Sequence, residues 1–293
     1  MFQAAEAESH GAVTIVNAMA TGKGAAIGIN LWTKATVTVT NQAGSFVARN
    51  LSDPNENTRL AETTARLVFT RFGANKRLGA VIETESNIPT AVGLKSSSAA
   101  SNAVALASLH ALGKNTSDLQ TVKLGVEASL RARVTLTGAY DDACACFFGG
   151  LVVTDNIGRK ILKRFKPRER LRVLIHVPNT KKYTRDIDPK PLIAVKRFVQ
   201  AAHREALCGN YWNAMTLNGL IYSMALGYDT RVARTALNAG AIAAGLTGKG
   251  PAVAAIVAES KKDNIRSAWR QMKGQVIDAS FNLRKTRVWG LPR

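Results

Sequence analysis

The chain is 293 residues long and carries 40 basic against 20 acidic residues, a formal net charge of +20, with enough apolar content for one or two packed cores. No apolar run approaches the roughly 20 residues of a membrane span, and the polar, acidic opening MFQAAEAESHG lacks the layout of a signal peptide. Three cysteines cannot form a disulfide framework, and Cys144-x-Cys146 without nearby histidines suits small buried residues better than zinc ligands, so a cytoplasmic protein is expected.

In chain order, GAVTIVNAMATGKGAAIGINLWTKATVTVT alternates as strands broken by a glycine-rich turn at Gly22, Gly24 and Gly28. A helix is expected over 57–72 and a strand over 78–86, which delivers PTAVGLKSSSAAS (89–101). Pro89 and Gly93 break what precedes them, and the three serines can cap a helix running from Ser98. Val104, Leu106, Leu109 and Leu112 give that helix an apolar face, and Gly113 a stop. A loop feeding a helix N-terminus presents unpaired N–H groups and a positive dipole end, which suits an anion, phosphate above all. Lys95 adds charge, and the hydroxyls add donors and a Mg²⁺ ligand. The plainer alternative is a Gly/Ser cap on a core helix.

Ser117-Asp118-Leu119-Gln120 has capping-box spacing and opens a second helix through Glu127 to about Arg131. After TLTGAYDDACACFFGGLVVTDN the chain turns basic and proline-bearing, which places a boundary near 160 between segments 1–160 and 161–293. The second segment predicts a strand at 171–177, helices near 191–207, 210–226 and 229–239, and a strand-helix-strand close. His110 and His176 read as structural, and Trp32, Trp212, Trp269 and Trp289 as core or edge anchors. Lys181–Arg185 is a solvated basic loop or a flap over an anionic substrate. The net charge fits nucleic acid, or an enzyme whose substrates are anions; the charge is spread and no aromatic-studded RNA-binding signature accompanies it.

Three glycine-rich segments stand in order: Thr21–Ala26, Pro89–Ala100 and Thr247–Pro251. With these the sequence resembles the GHMP kinases, the superfamily of galactokinase, homoserine kinase and mevalonate kinase, over nearly the whole chain. The middle motif, Pro89-Thr90-Ala91-Val92-Gly93-Leu94-Lys95-Ser96-Ser97-Ser98-Ala99, departs from the family pattern by placing Lys95 where most relatives have glycine. That form, with Ala-Thr-Gly-Lys-Gly-Ala-Ala near the N-terminus, is similar to the archaeal-type shikimate kinases. The resemblance implies an α+β, two-domain GHMP kinase fold, with an N-terminal domain like the second domain of ribosomal protein S5 and a ferredoxin-like C-terminal domain. It implies ATP and Mg²⁺ at the serine loop, with Ser97 and Glu127 in the metal shell. Asp141 is implied as the catalytic base with Asp142 its rival, Lys23 as the lysine reaching the reacting phosphate, and Gly248 and Gly250 at the substrate. Shikimate is the implied acceptor. Homoserine- or mevalonate-type kinases, and a basic nucleic-acid binder on an S5-like fold, remain as rivals. No specific nucleic acid or membrane partner is expected, and a homodimer stays open.

Overall fold

The computed structural model describes residues 4–73, 78–135, 137–167, 170–182, 188 and 190–291. Two sheets carry the fold. The larger is built on β1 (Ala4–Val16) and β2 (Lys23–Thr40), paired antiparallel along their lengths. β2 is 18 residues long and splits its other edge between two partners. Its second half pairs with β4 (Gly79–Ser86), and its first half, Lys23–Ile27, with β5 (Leu151–Asp155). β3 (Phe46–Asn50) adds parallel to β4, and the basic edge strand β6 (Lys160–Phe165) adds to β5.

α1 (Arg59–Phe72), α2 (Ser96–Ala111), α3 (Asp118–Arg131) and α4 (Tyr140–Phe148) complete this half, α2 lying across β1 and β2 with the other three around it. α2 is made almost entirely of Ala, Ser and short apolar residues and is buried nearly all round, so small side chains let it sit in the middle. Ser117 caps α3 by accepting from Gln120 N–H at 3.2 Å, as its spacing predicts.

The second sheet is antiparallel in the order β10-β7-β9-β8, from β7 (Leu171–Val177), β8 (Ala243–Leu246), β9 (Val253–Ala258) and β10 (Gln275–Ser280). α5 (Lys190–Ala194), α6 (Lys196–Cys208), α7 (Tyr211–Leu226), α8 (Arg231–Asn238) and α9 (Lys262–Trp269) accompany it. β11 (Arg287–Gly290) then returns to the first sheet and pairs with β1. The boundary expected at 160 therefore falls on the first residue of β6, a strand of the larger sheet. Trp269 is a fully buried anchor, and Trp212 stacks on Phe281. Cys144 and Cys146 are fully buried, as small apolar side chains would be. Among the described residues no helix is long and apolar enough to cross a membrane.

Candidate active site

The serine loop is shaped by its backbone. Ala91, Gly93 and Lys95 all have positive φ, at 60°, 94° and 67°. α2 starts at Ser96, two residues before the expected Ser98, and the residue in the capping position is Lys95 with no side-chain cap. The serines are therefore the first helical turn. The first intrahelical bond runs from Ala99 N–H to Lys95 O at 3.0 Å, which leaves the N–H groups of Ser96, Ser97 and Ser98 ahead of it. No acidic residue occupies that turn.

Across from it, Gly138 and Ala139, at φ 82° and 48°, turn the chain into α4, whose first turn carries Asp141 and Asp142. These carboxylates stand at a helix N-terminus, where the dipole favours negative charge. Both helix starts border one cavity of about 130 Å³, together with Asn17, Ser129, Gly248 and Lys249. A second cavity of about 470 Å³ opens beside it, sharing Ala91, Ser96 and Ser97 and extending over polar residues between Asn50 and Arg59. Four of the five non-glycine residues with positive φ among those described, Ala91, Lys95, Arg133 and Ala139, line these cavities. Strained backbone of this kind gathers at functional sites.

The third glycine segment locks onto the second. Thr247 Oγ1 donates to Gly93 O at 2.9 Å and accepts from Thr14 N–H at 3.0 Å. Asn17 Nδ2 donates to Gly248 O at 2.7 Å. A Cβ on Gly93 would lie 2.1 Å from Thr247 O, so only glycine fits this contact. Gly93→Ala should therefore lose at least about 2 kcal/mol of stability from left-handed backbone and clash together, read as a large drop in Tm with turnover abolished. Thr14 and Asn17 act here although they belong to no recognisable motif.

Lys95 is a nearly buried cation of the site, on the same cavity wall as Lys249. Its Nζ donates to Thr14 Oγ1 at 2.6 Å and lies 3.0 Å from Asp142 Oδ1, with the side chain only 6 % exposed. Lys23, expected to reach the reacting phosphate, lines neither cavity: it starts β2 exposed, and its charge bears on His203 of α6. The first glycine segment serves a different purpose. Gly24 leaves room for Asp141, whose Oδ2 would be 2.2 Å from a Cβ there.

Asp141 is buried, and Asn156 Nδ2 donates to its Oδ1 at 2.7 Å. Burial first, and the neighbouring Asp142 second, push its carboxyl up to about 7, against the pull of Lys95 and of the Asn156 hydrogen bond. The two adjacent aspartates are thus in different states: one pairs with Lys95, the other is a buried carboxyl poised near neutrality.

Glu127, expected in a metal shell, is turned away from the cavity. It accepts from both terminal guanidinium nitrogens of Arg71 at 3.1 Å and from Arg131 at 2.7 Å, on the outer face of α1 and α3. The α3 residue on the cavity wall is Ser129, two positions on. Among the described residues no group of three or more His, Cys, Asp or Glu gathers as a metal site. The described start of the basic run 181–185 lies against the rim, with Lys182 N–H donating to Ala91 O at 2.8 Å and Lys181 within 4.0 Å of Asp53 and Glu56; 183–185 lie outside the described residues.

Family models for the N-terminal and C-terminal domains of GHMP kinases match residues 59–150 and 214–274, together more than half of the chain. The chain belongs to the GHMP kinases. This GHMP kinase is 45 % identical to a shikimate kinase of Methanosarcina mazei over 93 % of its own length and 92 % of the relative's. It is 43 % identical to a shikimate kinase of Pyrococcus furiosus, covering 92 % and 96 % of the two chains. Among solved structures it shares its fold with a homoserine kinase from Cytophaga hutchinsonii at TM-score 0.75 and 17 % identity, covering 99 % and 98 % of the two chains. A mevalonate kinase of Methanococcus jannaschii superposes at TM-score 0.73 and 16 % identity, over 94 % and 98 %. At those identities the two structures speak for the fold alone.

Proposed function

We propose that this GHMP kinase is a shikimate kinase, transferring the γ-phosphoryl group of ATP to the 3-hydroxyl of shikimate in the cytoplasm. The observation that carries the chemistry is one cavity holding an uncapped helix N-terminus, a nearly buried lysine and a buried aspartic acid whose carboxyl is raised to about 7. The acceptor rests on the full-length similarity to shikimate kinases.

The N–H groups of Ser96, Ser97 and Ser98 suit the terminal phosphates of ATP, and the adjoining polar cavity suits its nucleoside half. These donors fit Mg·ATP: Ser97 is the exposed hydroxyl of the first turn, and the ion's other ligands would come from phosphate and water rather than Glu127. When bound, Mg²⁺ would neutralise charge on the triphosphate. Lys95 faces the same phosphates. Asp141 holds the acceptor hydroxyl and accepts its proton as the new O–P bond forms, which a carboxyl poised near working pH does well.

A coupled ADP-release assay over shikimate, homoserine, mevalonate and galactose tests the reading. Turnover of shikimate alone is expected, and turnover of another member with none of shikimate would sink it. The charge of +20 is spread along the chain without an aromatic-studded RNA-binding signature, so only weak, non-specific RNA binding is expected at physiological salt. Ser97→Ala should raise the KM for Mg·ATP about tenfold or more, the usual range for losing a bond to a charged group, with the Tm unchanged. An unaltered Mg²⁺ titration would remove Ser97 from the metal.

A further inference from the structure

Asn156 follows β5 in a segment, Thr154-Asp155-Asn156-Ile157-Gly158, that reads as an ordinary turn. It borders neither cavity and is buried, 3 % exposed. A turn asparagine normally bonds its own backbone; this side chain is committed to Asp141 of α4, 15 residues earlier, and to the Thr154 hydroxyl beside it. Its Oδ1 accepts from Asp141 N–H at 3.1 Å and from Thr154 Oγ1 at 2.7 Å. Its Nδ2 donates to Asp141 Oδ1 at 2.7 Å. The backbone N–H at 141 can only donate, so the amide has one workable orientation, with nitrogen toward the carboxylate. Asn156 N–H in turn donates to Gly22 O at 2.8 Å, which ties the residue to the first glycine turn.

One amide therefore grips both the backbone and one carboxylate oxygen of Asp141. The other oxygen, Oδ2, is left against the space that Gly24 provides. We propose that Asn156 is a positioning residue that fixes the Asp141 carboxylate at the cavity wall for the acceptor hydroxyl, acting through the Thr154–Asn156–Asp141 chain and the turn at Gly22. This rests on the reading of Asp141 as the group that takes the acceptor's proton. Misplacing a reacting group by about 1 Å costs on the order of 10²-fold in rate, so a buried clamp at this point acts on kcat and leaves nucleotide binding alone. It also donates to the ionised carboxylate and so favours that form. The other titratable groups around Asp141 are Asp142 beside it, Lys95 from the serine loop, Cys144 and Cys146 on α4, and Tyr222 from α7.

The test uses Asn156→Asp and Asn156→Ala in the full chain. Asn156→Asp keeps an acceptor for Asp141 N–H and Thr154 and replaces the donor with a second carboxylate. Expected are a kcat lowered about 10–100-fold, a KM for ATP within about threefold of wild type, and an acidic limb of the kcat profile displaced upward by about a pH unit in Asn156→Asp and less in Asn156→Ala. A limb at the wild-type position in either folded variant overturns the proposal, whatever its kcat. Where neither variant folds, the wild-type protein decides by NMR. The Asn156 side-chain amide should shift in step with the titration of the Asp141 carboxyl carbon, and independent behaviour overturns the clamp. A wild-type protein that fails to phosphorylate shikimate would sink the functional reading and leave this NMR coupling intact.

Discussion

Asp141→Asn should lower turnover by about 10²–10⁴-fold, the usual contribution of a general base, while the KM for ATP stays near its wild-type value. The variant keeps shape and the acceptor for Asn156 Nδ2 and loses the charge and the ability to take a proton. Positioning and proton acceptance act mainly in the transition state, so kcat and kcat/KM should fall together. In the wild-type enzyme activity should rise with pH as Asp141 ionises, with a midpoint near the carboxyl's raised value of about 7. Asp142→Asn should reduce turnover less, and it should move that midpoint downward, because Asp142 is one of the two causes of the raised value. If Asp142→Asn proves the crippling change, the two aspartates exchange roles.

The same substitution has an opposite effect on stability. In the folded chain Asp141 holds its proton to about 7, against an ordinary value of 3.8, so between these limits the native state binds more protons than the unfolded one. Its contribution is fully present below the unfolded value and is lost as pH rises through the folded one. The wild-type protein is therefore penalised for burying the charge above neutrality, and Asp141→Asn is not. The variant should melt a few degrees higher than wild type at pH 8 and with little difference at pH 4. Equal Tm values at pH 8 would mean that the Asp141 carboxylate is better solvated than its burial implies.

Much of this site was legible in the chain because its motifs are backbone devices. Pro89, Gly93 and the serine run announce a turn into a helix N-terminus whatever surrounds them, and the capping spacing at Ser117 works within four residues. Side-chain direction is different. Glu127 and Ser129 are two residues apart on α3 and so point to different faces; only the arginines at 71 and 131 reveal which face Glu127 takes. Lys23 sits in the expected motif, yet it opens a strand whose alternation sends the neighbouring Gly24 toward Asp141 and the lysine outward. α4 was hidden because it begins from two left-handed residues rather than a capping side chain. Asn156 was hidden because turn chemistry explains it fully until its partner, 15 residues earlier, is seen.

Lys95→Gly should separate what the residue does by charge from what it imposes on the backbone. At φ 67° Lys95 occupies the left-handed region that glycine adopts freely. A lysine in that conformation is destabilising by about 1–2 kcal/mol, so its presence points to the side chain. That side chain links Thr14 of the first sheet to Asp142 of α4, beside Gly248 of the third glycine segment. On the proposed reading a cation there would meet charge that builds on the transferring phosphoryl group, and losing one such electrostatic contact costs about 10²–10³ in kcat. Lys95→Gly and Lys95→Met should both show that loss, and both should move the acidic limb upward, since Lys95 holds the Asp141 carboxyl down. They should differ in stability, the glycine variant being firmer by about 1 kcal/mol because it alone relieves the backbone. Small primary amines such as ethylamine, added to Lys95→Gly, should restore part of the turnover by occupying the vacated space. Wild-type turnover in Lys95→Gly would show that the helix N–H groups suffice for the phosphoryl group and that the lysine serves only to join Thr14 to Asp142.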